Sequence, residues 1–320
     1  MAVYTPVGAA ELRRFLADYD LGEPLALVPI AEGVENSNFR LETTLGRFIV
    51  TIYEKRVDPA DLPFFLGLMM HLAERGLPCP LPVRNREGAM LGRLAGKPAA
   101  IVSFLDGKSP RRIAPRHCGA VGAALASLHL AGRGFALHRA NALGLEGWRG
   151  LVAATRARAD EVAPGLSETI TSELAALERS WPHDLPAGVI HADLFPDNVF
   201  FEGERVSGLI DFYFACDDLL AYDVAICLNA WCFEGDGALN VTKARALLTG
   251  YGSRRPLAAA ELEALPILAR GAALRFLLTR LYDWLNRVPG ALVKPKDPLE
   301  YLAKLRFHQG VASASAYGIA

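Results

Sequence analysis

His191-Ala192-Asp193-Leu194-Phe195-Pro196-Asp197-Asn198 follows an apolar Gly188-Val189-Ile190 and precedes Val199-Phe200-Phe201. The next four residues, Glu202-Gly203-Glu204-Arg205, have turn chemistry, and residues 206–210 form a second strand-like run that ends at Asp211-Phe212. A strand out, a tight turn and a strand back return the chain close to its start. Asn198 enters this hairpin and Asp211 leaves it, so their side chains are expected near each other. An amide oxygen and a carboxylate are hard ligands suited to Mg2+, which itself holds phosphate oxygens. Asp193 lies five residues before Asn198 on the same loop, placed to accept a proton from an attacking hydroxyl or to orient it. One base or positioner, with metal ligands that offset developing charge, is what phosphoryl transfer asks of a protein. An ordinary turn rich in Asp and Asn shares the composition, but not the agreement of residue type, spacing and hairpin.

Outward from this loop, the N-terminal third reads as strand-rich. Residues 25–29, 39–43 and 47–53 are expected strands, the last two joined at Leu45-Gly46. Residues 61–75 follow as a helix with Leu62, Phe65, Leu66, Met69 and Leu72 on one face, stopped by Gly76 and by Pro78 and Pro80 beyond it. Strands are expected again at 91–93 and 99–104. Helices are expected over 116–130, 147–163, 167–179, 219–233, 241–251, 258–286 and 299–308. Only 188–214 interrupts them. The order implies an α+β fold of two lobes, divided into residues 1–105 and 106–320.

Bulk properties bound the function classes. The chain has 320 residues, 52% of them hydrophobic and 22% charged, enough to build a sizeable core. A net charge of −1 argues against a dedicated nucleic-acid binder. No run reaches the roughly 18 apolar residues of a membrane span. Residues 1–21 read as an amphipathic helix carrying Glu11, Arg13 and Arg14 rather than as a secretory signal. Five scattered cysteines, an odd count, fit reduced buried thiols. The expectation is a cytoplasmic protein acting on a small molecule, with no nucleic-acid or membrane partner. Oligomeric state is not legible.

The spacing His-x-Asp-x4-Asn, with an Asp after a hairpin, resembles the protein-kinase catalytic pattern. The whole octapeptide from His191 to Asn198 resembles the signature of the aminoglycoside-phosphotransferase and choline-kinase superfamily. That resemblance implies a bilobal protein-kinase-like fold with ATP in the cleft, residues 1–105 covering the nucleotide, and residues 106–320 holding the catalytic loop, metal site and acceptor pocket. Leu125-Ala126-Ser127-Leu128-His129 is similar to a helix beneath the family's hinge, and Asp223 to a carboxylate bracing the catalytic region. Gly33-Val34-Glu35-Asn36-Ser37-Asn38-Phe39, Ile49-Val50-Thr51-Ile52-Tyr53-Glu54-Lys55-Arg56 and the segment from Leu274 to Asp283 resemble the kinase-like homoserine kinases. This implies transfer of the ATP γ-phosphate to the L-homoserine hydroxyl, on the route to threonine.

Further candidates follow. The loop 33–38, with Gly33, Asn36, Ser37 and Asn38, is expected to lie over the ATP phosphates. Thr51 occupies the place where a protein kinase offers a lysine from its central strand, so Lys55 and Arg56 are the candidate cations. Arg275 and Arg280 in an apolar helix, with Asp283 behind them, are candidates for the carboxylate and ammonium of an amino-acid acceptor. Asn229, Trp231, Tyr213 and Asp217 are further candidates for that pocket. His191 reads as a structural hydrogen-bonding residue, and Asp197 as a turn residue beside Asn198. The residues alone leave open another acceptor, such as choline, ethanolamine, methylthioribose or an aminoglycoside, or a catalytically silent ATP-binding module.

Overall fold

The structure is a computed structural model, and it describes residues 5–30, 36–54, 58–287 and 295–319. Five antiparallel strands open the chain: β1 (Pro24–Pro29), β2 (Ser37–Thr43), β3 (Gly46–Ile52), β4 (Gly92–Leu94) and β5 (Lys97–Ser103), in the order β1-β2-β3-β5-β4. Side chains alternate across such a sheet, and the two faces feed different cores. Val50, Ile52, Ala99 and Ile101 pack with Leu12, Phe15 and Leu16 of helix α1 (Ala9–Leu16). Tyr53, Ala100 and Val102 instead join α2 (Leu62–Glu74) and the main core of the helical part. The apolar face expected for α2 is buried, and Phe64 and Leu68 widen it.

The helical part comprises α3 (Pro115–Ala131), α4 (Leu145–Thr155), α5 (Leu166–Ser180), α6 (Leu220–Trp231), α7 (Val241–Gly252), α8 (Ala259–Leu285) and α9 (Leu299–Gln309). Small residues let α3 and α7 touch backbone to backbone: a Cβ on Gly122 would sit 2.0 Å from the Leu247 carbonyl oxygen. Between α5 and α6 run β6 (Ala187–Ile190), β7 (Val199–Glu202), β8 (Arg205–Leu209) and β9 (Cys216–Leu219). β7 and β8 form the expected hairpin, and β6 pairs with β9.

Two expectations are corrected. The helix read over 147–163 ends at Thr155, because Arg158 (φ −120°, ψ 0°) leaves helical geometry and a short 3-10 turn, Ala159–Glu161, replaces the last segment. Arg158 there donates to the Leu285 carbonyl of α8 and pairs with Glu161. β9 was not expected as a strand, since Asp217 and Asp218 interrupt its apolar pattern. Both carboxylates are satisfied from one loop: Asp217 accepts the Arg139 N–H at 2.9 Å and Asp218 accepts Asn141 Nδ2 at 2.6 Å.

No helix of the described residues is long and apolar enough to cross a membrane. The five cysteines are buried, free thiols.

A buried histidine gives the fold a pH signature. His308 of α9 accepts Tyr317 O–H at Nδ1 (2.8 Å) and donates from Nε2 to Asn229 Oδ1 (3.2 Å). Burial, with the charges of Lys304 and Arg270, lowers its pKa from 6.5 to about 3. Between those values the unfolded chain holds a proton that the folded chain does not, so stability must rise with pH. We expect the unfolding free energy to fall as pH is lowered from 6.5 towards 3, with this one residue contributing up to about 1.4 kcal/mol per pH unit. Urea titrations of the unmodified chain and of His308→Asn between pH 6.5 and 5 check it; an unchanged slope in the variant contradicts it.

Candidate active site

β6 delivers the chain to His191, and the next residue turns sharply. Ala192 has φ +63° and Asp211, at the far end of the hairpin, φ +65°. Left-handed backbone costs a non-glycine residue about 1 kcal/mol, so each must be held. Asp223 of α6 does this for the first turn: its carboxylate accepts the N–H of His191 at 2.7 Å and of Ala192 at 2.9 Å. His191 ties the two ends of the hairpin together. Its Nε2–H donates to the Ile210 carbonyl at 3.0 Å, which leaves Nδ1 to accept the Asp193 N–H at 3.3 Å. Burial lowers the pKa of His191, consistent with the neutral ring that this bonding requires.

The three residues singled out from spacing meet here. Asn198 Nδ2 donates to the Asp193 carbonyl at 2.8 Å and to Asp193 Oδ2 at 3.2 Å. The Ile210 N–H donates to the Asn198 carbonyl at 3.0 Å, so Asp211 follows directly on the residue paired with Asn198. With Nδ2 committed to Asp193, the Oδ1 of Asn198 is the end of the amide left for a cation. This neutral oxygen and the Asp211 carboxylate are hard donors that fit a divalent ion of the Mg2+ type. Asp197 is exposed in the 3-10 turn Pro196–Asn198, with Lys296 3.9 Å away.

Behind the loop lies a buried polar chain. Arg255 donates to Tyr251 Oη (3.0 Å), Tyr251 to His129 Nδ1 (2.8 Å), and His129 Nε2 to Asp223 (3.1 Å). Burial works to raise the Asp223 pKa, but the hydrogen bonds from His129 and from the His191 N–H outweigh it and hold the carboxyl below its ordinary value. From the other side Arg275 donates to the Ala192 carbonyl, and Trp231 Nε1 to the Leu194 carbonyl at 2.7 Å.

On the nucleotide side, Gly33 and Lys55 lie outside the described residues, as does Arg56. Ser37 and Asn38, expected in a loop, are the first residues of β2. Cross-strand partners explain it: Asn38 Oδ1 accepts Thr51 Oγ1 at 2.8 Å, and Ser37 Oγ donates to Glu54 at 2.7 Å. Asn36 Oδ1 accepts the Glu54 N–H. Thr51, at the site of the missing strand lysine, is thus engaged by Asn38. Lys97, which no sequence signal marked, reaches the same end of the sheet and pairs with Glu54.

As for the acceptor candidates, a cavity of about 350 Å³ is lined by Asp61, Phe65, Arg139, Asn141, Tyr213 and Arg275 among others. It therefore abuts the turn after Asp211 and the arginine that holds Ala192. Of the residues expected in such a pocket, Arg275 and Tyr213 are here. Arg280 instead pairs with Glu300 at 2.6 Å and stacks 4.4 Å over the Tyr301 ring, bracing α8 to α9. Asn229 is fully buried and donates to the carbonyls of Ala225 and Ala269. Asp283 is half-buried near the end of α8 and does not line the cavity. Trp231 is committed to Leu194, and Asp217 to Arg139. A larger depression of about 720 Å³ lies by residues 110–116; Asp193, Asn198 and Asp211 line neither of the two, and the smaller one is bordered by Tyr213, two residues after Asp211, and by Arg275, which holds the Ala192 carbonyl.

Residues 26–257 match the model of the phosphotransferase enzyme family. The chain belongs to that family. It is 66% identical to the homoserine kinase of Azorhizobium caulinodans over 320 residues, 100% of both chains. It is also 66% identical to the homoserine kinase of a Bradyrhizobium species over 319 residues, 100% of this chain and 99% of the relative. Among solved structures, an amicoumacin kinase in complex with AMP-PNP and Ca2+ superposes with a TM-score of 0.69 at 14% identity, over 94% of this chain and 92% of that one.

For a phosphotransferase, a loop held this completely has a measurable signature. His191→Leu leaves the Ile210 carbonyl and the Asp193 N–H without their partner, about 1–3 kcal/mol for each buried group. We expect the urea midpoint of that variant to fall accordingly. A midpoint equal to that of the unmodified chain contradicts the role of His191 as the tie across the hairpin.

Proposed function

We propose that the chain transfers the γ-phosphate of ATP to the side-chain hydroxyl of L-homoserine, giving O-phospho-L-homoserine and ADP in the route to threonine. The observation that carries the reading is the meeting of Asp193, Asn198 and Asp211 at one end of the β7–β8 hairpin, in a chain 66% identical to curated homoserine kinases over its full length.

In this mechanism the Asp193 carboxylate, steered by Asn198 Nδ2, accepts the hydroxyl proton of the acceptor. The hydroxyl oxygen bonds to the γ-phosphorus as the bond from that phosphorus to the β,γ-bridging oxygen breaks, and ADP leaves. Asn198 Oδ1 and Asp211 would hold a divalent cation, Mg2+ in our reading, which when bound offsets charge on the phosphate oxygens. The AMP-PNP and Ca2+ of the amicoumacin kinase complex are in keeping with this. Residues 1–105 would cover the nucleotide through the segment that includes Asn36, Ser37 and Asn38, with Gly33 and Lys55 as further contributors, and residues 106–320 would carry the acceptor. Tyr213 and Arg275 border the acceptor cavity, whereas the bonds of His191 and Asp223 suit support of the loop.

ADP release from Mg–ATP, measured with L-homoserine beside choline, ethanolamine, L-serine, methylthioribose and kanamycin, tests the reading. Release with L-homoserine is expected, and release only with another member overturns the acceptor. Asp193→Asn is expected to lower turnover by roughly 10²-fold or more while ATP affinity is largely retained; full activity removes Asp193 as the base. Asp211→Ala is expected to weaken Mg–ATP binding, and unchanged affinity removes it from the metal site.

A further inference from the structure

The cavity beside Tyr213 contains an ion pair that nothing in the catalytic loop uses. Arg139 Nε donates to Asp61 Oδ2 at 2.7 Å, across 78 residues of sequence. The guanidinium is fixed on two more sides: Nη1 donates to the Ala215 carbonyl at 3.2 Å, and the plane lies 5.0 Å from the Phe65 ring. Its backbone is clamped as well, by the Asp217 carboxylate on its N–H and the Asp217 N–H on its carbonyl. Among the described residues neither Arg139 Nη2 nor Asp61 Oδ1 has a hydrogen-bond partner. The two side chains are 19% and 34% exposed, so the pair is open on one side while both residues line the cavity.

The other charged groups of the cavity are less available. Arg275 is 1% exposed and holds the Ala192 carbonyl, and Asp58 caps the 3-10 turn Pro59–Asp61 through the Ala60 N–H.

We propose that Asp61 and Arg139 form the clamp for the α-amino acid end of the acceptor, Arg139 Nη2 binding the α-carboxylate and Asp61 Oδ1 the α-ammonium. A neutral ion pair with one spare guanidinium nitrogen and one spare carboxylate oxygen is the complement of a zwitterion. A choline-like acceptor has no carboxylate to meet Nη2, and an aminoglycoside has none either. Anchoring through Ala215 and Phe65 fixes the clamp in the cavity bordered by Tyr213 and Phe214, in the turn that follows Asp211; in the proposal, an acceptor held there at its α-carbon turns its terminal hydroxyl toward Asp193. The clamp rests on the acceptor reading above and extends it to residues that nothing in the sequence had marked.

The test compares kcat/KM for L-homoserine, 4-hydroxybutanoate (no ammonium) and 3-aminopropan-1-ol (no carboxylate). The unmodified chain is expected to prefer L-homoserine over either analogue by roughly 10²-fold or more, as a site built to hydrogen-bond a group rejects the molecule that lacks it. Arg139→Gln should cut the preference over 3-aminopropan-1-ol by at least about tenfold, mainly through the KM of L-homoserine, with the KM of ATP unchanged. Asp61→Asn should do the same to the preference over 4-hydroxybutanoate. Each ratio is read on one preparation, so a partly unfolded variant does not distort it, and if one variant fails to fold the other still decides. Equal losses on substrate and analogue in both variants make the pair a structural brace and overturn the clamp. So does an unmodified chain that takes either analogue as well as L-homoserine. ADP release with another acceptor but none with L-homoserine overturns the acceptor reading first, and the clamp with it.

Discussion

The carboxylate of Asp223, wholly buried, accepts two successive backbone N–H groups at the turn that launches the loop from His191 to Asn198. Without it the left-handed turn at Ala192 keeps only the Arg275 bond to its carbonyl, and the aim of Asp193 at Asn198 loosens. A buried charge is tolerated only when paired and hydrogen-bonded on all sides. Here the two N–H groups and His129 supply the hydrogen bonds, and Tyr251 and Arg255 extend the chain through α7 to Glu261. Leaving a buried polar group without its partner costs about 1–3 kcal/mol, so the site and the stability of the helical part rest on the same contact.

The arrangement separates holding from reacting. Six backbone groups between His191 and Leu194 are occupied, by Asp223, His191, Asn198, Arg275 and Trp231. The side chains that our reading assigns to the reaction are those of Asp193, Asn198 and Asp211. Preorganisation of this kind lets a protein contribute position and charge to phosphoryl transfer, where it has little covalent chemistry to perform.

The hairpin and the approach of Asn198 to Asp193 were legible because their information is local: residue types, spacing and two short strands within about two dozen positions. The α+β order was legible from periodicity, as the buried face of α2 shows. β9 was hidden because Asp217 and Asp218 look like a loop until the partners from 139–141 are known. Ser37 and Asn38 look like a polar turn until Thr51 and Glu54 are placed across from them. Arg280 and Asn229 stand out in apolar helices, and that oddity marks a brace as readily as a site; only Glu300 and His308, distant in sequence, decide between the two. Asp61 and Arg139 carried no signal, since an isolated charge beside a helix start or in a loop reads as solvated surface.

The dependence on Asp223 is open to one direct measurement: steady-state turnover by Asp223→Asn, an isosteric change that puts an NH2 where a carboxylate oxygen now accepts an N–H or the His129 proton. A misplacement of the reacting groups by about 1 Å costs roughly 10²-fold. The account predicts a fall in kcat of that order, with circular dichroism unchanged and ATP still bound. A kcat within about twofold of the unmodified chain, beyond the reach of such a misplacement, would contradict it, and the loop would owe its geometry to something other than Asp223.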